Sequence, residues 1–99
     1  MEIEDLKKEV ANIVRTELAG TQFFAFFFGS RVSKTNSPTS DLDLGLEGET
    51  SVPENIMRSI KSRCDALPTL YSIDIVDFFL LSPEFKRVAK SHIEWITEV

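Results

Sequence analysis

The run QFFAFFFG, Gln22 to Gly29, constrains this chain more than any other stretch. It is too short and too continuously apolar for an amphipathic helix, so it reads as a strand buried on both faces that ends at Gly29. Such a strand needs neighbours on each side and cover above and below, and the rest of the chain supplies candidates. DLDLGLE, from Asp41, alternates strictly, so as a strand it sets Asp41, Asp43 and Gly45 on one face and Leu42, Leu44 and Leu46 on the other. The leucines are expected in the core and the aspartates on an open face.

Helices account for much of what remains. Ile3, Leu6, Val10, Ile13, Val14 and Leu18 recur at helical spacing over residues 3–19, and Gly20 supplies a stop. Ile56, Met57, Ile60, Cys64 and Leu67 form a second stripe after Pro53, to be ended by Pro68. LYSIDIVDFFL reads as a third strand. Ser82 and Pro83 are suited to the N-cap and first turn of a helix reaching to about Ser91, with Phe85, Val88, Ala89 and His92 on one stripe. The tail IEWITEV fits either more helix or a short strand.

Composition removes several classes of function. At 99 residues the chain is expected to be one domain, residues 1–99. A formal charge of -5 argues against direct nucleic-acid binding, which draws on clustered Lys and Arg. One cysteine, Cys64, and one histidine, His92, are too few for a structural zinc site. Any metal should therefore be a hard one held by oxygen. Phe23 to Phe28 is too short to span a bilayer and the acidic N-terminal stretch is unlike a signal peptide, so no membrane association and a cytoplasmic location are expected.

The chemistry concentrates in two places. Asp41 and Asp43 on one strand face lie about 7 Å apart, close enough to repel unless a cation sits between them. Mg²⁺, which favours oxygen ligands together with substrate phosphates, suits that pair, and Asp74 on a neighbouring strand would complete a site for two ions. Asp77 is its competitor within the same strand, on the opposite face by parity. At the other end, Gly29 lets backbone approach a phosphate and Ser30 adds a hydroxyl donor. The SKT at Ser33–Thr35 lacks the glycine spacing of a P-loop. His92 is expected packed or at a rim, Cys64 as a small buried hydrophobe, and Trp95 mainly in the core.

Gly29-Ser30, ten intervening residues, Asp41-x-Asp43 and Asp74 within SIDIVDF together resemble the minimal nucleotidyltransferases of the DNA polymerase β superfamily. Lys34 departs from that pattern, standing where many relatives have glycine. The resemblance implies an α/β (α+β) fold, the polymerase-β-like nucleotidyltransferase fold with a small mixed β-sheet flanked by helices. It also implies Mg²⁺-dependent transfer of a nucleoside monophosphate, AMP from ATP being expected ahead of other nucleoside triphosphates. Gly29, Ser30 and Arg31 would then hold the triphosphate, and Asp41, Asp43 and Asp74 would be both catalytic and metal-binding. Minimal members of the group pair with HEPN proteins in systems resembling toxin–antitoxin pairs, so the implied acceptor is a hydroxyl of a HEPN toxin and the implied role that of its antitoxin, within a homo- or hetero-oligomer. The alternatives are a subunit of an aminoglycoside-type small-molecule nucleotidyltransferase, or a non-catalytic antitoxin that acts by binding.

Overall fold

A computed structural model describes residues 1–29 and 42–97. The elements run α1 (Ile3–Leu18), β1 (Phe24–Phe28), β2 (Leu42–Glu47), α2 (Glu54–Asp65), β3 (Ile73–Asp77), a 3-10 turn (Phe78–Leu80), α3 (Pro83–Ala89) and β4 (Ile93–Thr97). The four strands form one mixed sheet in the order β3-β2-β1-β4. β1 is antiparallel to both β2 and β4, and β2 is parallel to β3. This is the helix-flanked mixed α+β sheet expected above.

Period-two alternation decides which face each strand residue serves. Ala25, Phe27, Leu42, Leu44 and Leu46 turn towards α1 and α2 and form the main core with Leu6, Val10, Val14, Ile60 and Cys64. Gly20 follows α1 at φ +78°, the left-handed backbone that ends helices and that glycine adopts at no steric cost. An ion pair between Arg63 Nη1 and Glu17 Oε2 at 3.0 Å links α2 to α1 at the surface, where such pairs add little to stability.

Phe26, Phe28 and Phe78 form a second apolar cluster on the opposite face of the sheet. The Phe78 ring meets Phe26 edge-on at 4.8 Å and Phe28 at 5.0 Å between centroids, a favoured arrangement of the ring quadrupoles. The expectation of an open face along β2 is therefore corrected: Gly45 is buried, and a Cβ there would lie 2.5 Å from Phe26 and 2.8 Å from Phe78. Gly45 leaves the room those two rings occupy.

Three further expectations change. The third strand is only Ile73–Asp77, because the Asp77 carboxylate accepts from Phe79 N at 3.1 Å and from Val52 N at 2.8 Å, turning the chain into the 3-10 turn. α3 ends at Ala89 rather than near Ser91, and its apolar stripe is not buried: Phe85 is 53% and Val88 65% exposed. Trp95 is half-exposed on β4, the edge strand that the tail forms, with its ring 5.5 Å from those of Phe24 and Phe26.

Cys64 lies in the core as expected. Burial, helped by the Asp65 charge and opposed by Arg63, raises its thiol from 9.0 to about 11. The unfolded thiol ionises first, so this contribution to stability is complete below pH 9 and is lost as pH rises towards 11. Native protein at pH 8 is expected to react with a thiol reagent only on the timescale of unfolding, and rapid labelling without denaturant would contradict that burial.

Candidate active site

The strand register brings together two of the residues singled out above. Asp43 pairs with Asp74 across the parallel β2–β3 ladder and with Phe28 across the antiparallel β1–β2 ladder. Neighbouring strands lie about 4.8 Å apart, so the two aspartates sit side by side at one end of the sheet. Asp43 is half-buried and Asp74 exposed. The Phe26–Phe28–Phe78 cluster covers the sheet at Gly45, two residues along β2, which restricts the carboxylate site to the end where β1 finishes.

Gly29 stands at that end with φ +84°. A Cβ built on it would lie 2.1 Å from Asp43 Oδ2 and 3.1 Å from Asp43 Cγ. The sequence suggested that glycine here admits a phosphate; the structure adds a second requirement, because the Asp43 carboxylate lies in the space a side chain would fill. No local signal in the sequence carries this contact, which is made between two strands.

Gly29→Ala should therefore disturb the site as well as the backbone. A non-glycine residue in the left-handed region costs about 1–2 kcal/mol, and here the added methyl group must also displace Asp43. Gly20→Ala is the matched control, with a similar φ of +78° and nothing within 4 Å of its added Cβ. Both variants are expected to lose stability in urea denaturation, the Gly29 variant more. Equal losses would mean that the Asp43 carboxylate moves aside freely.

Asp77, the competitor of Asp74 within the strand, is committed to backbone. Its Oδ1 accepts from Phe79 N and its Oδ2 from Val52 N, so both oxygens hold backbone that positions Phe78. Ser30, Arg31 and Asp41 lie outside the described residues. Among the described residues no group of three or more His, Cys, Asp or Glu could hold a metal ion; Asp43 and Asp74 contribute two carboxylates. Paired hard oxygen donors suit Mg²⁺, particularly where a phosphate oxygen completes the coordination.

No protein-family model matches the chain, and no curated protein matches it. Solved structures do. One, described as a toxin-antitoxin with AMP-PNP, superposes with a TM-score of 0.63 at 16% identity, over 90% of this chain and 73% of the other. Another, a rebuilt and re-refined structure of tri-AMPylated Shewanella oneidensis HEPN toxin in complex with MNT antitoxin, gives 0.66 at 12% identity, over 97% and 72%. At such identities the likeness is one of fold, and it spans nearly all of this chain.

Proposed function

We propose that this chain is a Mg²⁺-dependent nucleotidyltransferase that moves AMP from ATP to a hydroxyl of a HEPN toxin and so acts as its antitoxin. The observation that carries the reading is the in-register pair Asp43–Asp74 beside Gly29. The fold supports it too, being shared with a structure in which an MNT antitoxin accompanies an AMPylated toxin.

In this reading Asp43 and Asp74, with Asp41, would hold Mg²⁺. The metal supplies charge neutralisation for the phosphates and for the oxygens that attack and leave. Gly29, Ser30 and Arg31 bind the triphosphate, with the absent side chain of Gly29 keeping Asp43 in position. The acceptor hydroxyl oxygen forms a bond to the α-phosphorus as the bond to the β-phosphate bridging oxygen breaks. Pyrophosphate leaves, and the hydroxyl proton passes to the Asp74 carboxylate, the more exposed of the pair.

Intact-mass spectrometry of a HEPN partner after incubation with this protein, Mg²⁺ and ATP tests the assignment. Mass increments of whole adenylyl units are expected with the natural chain and with Asp77→Asn, and none with Asp74→Ala. Increments that survive Asp74→Ala would sink the role given to Asp74. A stable complex with no increment from any nucleotide would favour inhibition by binding alone.

A further inference from the structure

We propose that the apolar cavity beside Gly29 receives the base of the donor nucleotide, an inference that rests on the nucleotidyl-transfer reading. Four strands line up residues at the same end of the sheet: Asp74 pairs with Asp43, Asp43 with Phe28, and Phe28 with Ile93. Carboxylates occupy β3 and β2, whereas aromatic and aliphatic side chains occupy β1 and β4. The cavity, about 290 Å³, opens at the apolar end of this row, walled by Phe28, Gly29, Phe85 and Val88, with Ser91 and His92 also lining it.

The walls belong to the same side of the sheet as the carboxylates. α3 sits there through Ala89, which packs against the Phe26–Phe28–Phe78 cluster, while Phe85 and Val88 remain 53% and 65% exposed. Two large apolar side chains left in water at the mouth of a cavity favour an occupant that buries them. Continuity with Gly29 and Asp43 selects that occupant: a molecule with an anionic end for the glycine and the metal, and a flat apolar end one or two strands away. A nucleoside triphosphate has both. Ser91 Oγ, which donates to Val88 O at 2.7 Å and lies 3.3 Å from His92 Nδ1, provides hydrogen-bonding capacity for the edge of a base.

Calorimetric titration of the full chain separates the two ends of the ligand. The probes are adenosine 5′-(α,β-methylene)triphosphate, whose scissile bond is blocked, and inorganic tripolyphosphate, each with Mg²⁺. The nucleotide should bind the natural chain more tightly than tripolyphosphate. Phe85→Ser/Val88→Ser, which changes exposed side chains and should leave the fold intact, should weaken nucleotide binding by about tenfold or more and leave tripolyphosphate binding unchanged.

Equal affinities for the two probes in the natural chain would overturn the base assignment while leaving the phosphate site standing. Binding of neither probe would remove the nucleotidyl-transfer reading and the base pocket with it. Unchanged nucleotide affinity in the double variant, together with a weakened complex with a HEPN partner, would make this surface a protein-docking face and overturn the proposal.

Discussion

Phe78→Ala is expected to remove about 3–5 kcal/mol of folding stability, a large share of the roughly 5–15 kcal/mol available to a domain of this size. Phe78 is fully buried and its ring touches Phe26 and Phe28 edge-on. Gly45 offers no side chain to fill the void, so the loss combines transfer free energy with an open cavity. The cluster also backs Phe28, the cross-strand neighbour of Asp43, so the damage should reach the site. Urea denaturation monitored by Trp95 fluorescence provides the test. A loss below about 1 kcal/mol, well under the usual range for such truncations, would show that the second cluster collapses readily and contributes little.

Asp43→Asn should have the largest effect on activity. Changes to the outer partners of metal ligands typically cost 10–100-fold, and Asp43 is proposed as a ligand itself, so transfer should fall by at least about a hundredfold. The amide nearly preserves the carboxylate's shape against Gly29, so stability should change little. That separates Asp43→Asn from Gly29→Ala, in which chemistry and backbone suffer together. Measured transfer rates with folding checked by denaturation decide the matter. Near-normal turnover in a folded Asp43→Asn protein would rule out the proposed metal role.

Both experiments probe the face of the sheet turned away from α1 and α2. On the α1–α2 side the leucines of β2 hold the sheet to its helices. On the other side aromatic rings pack over Gly45, and Asp43 and Asp74 pair at the end of the sheet beyond them. Asp77 serves the packing of Phe78, although in the sequence it resembles a member of the carboxylate pair. Its carboxylate is committed to two backbone N–H groups, and losing such bonds to a charged acceptor typically costs about 1.5–3 kcal/mol each.

Much was legible in the amino-acid sequence because it was local. The apolar spacing of α1 and α2, the alternation of β2, the stop at Gly20 and the Ser82 cap, whose Oγ accepts from Phe85 N at 3.2 Å, each depend on residues a few positions apart. The pairing of D-x-D with Gly29 and Asp74 was legible as a pattern, and the parity argument favoured Asp74 over Asp77.

Tertiary structure alone decided the rest, because those features arise where distant segments meet. The register that sets Asp43 beside Asp74 and the Asp43 carboxylate against Gly29 joins separate strands. The Phe78 lid over Gly45 requires the 3-10 turn that Asp77 holds to Val52, 25 positions away. Exposure of Phe85 and Val88 could not be read from their helical spacing, since the same stripe is equally compatible with a buried core face. Periodicity states which residues share a face; only packing states whether anything covers it.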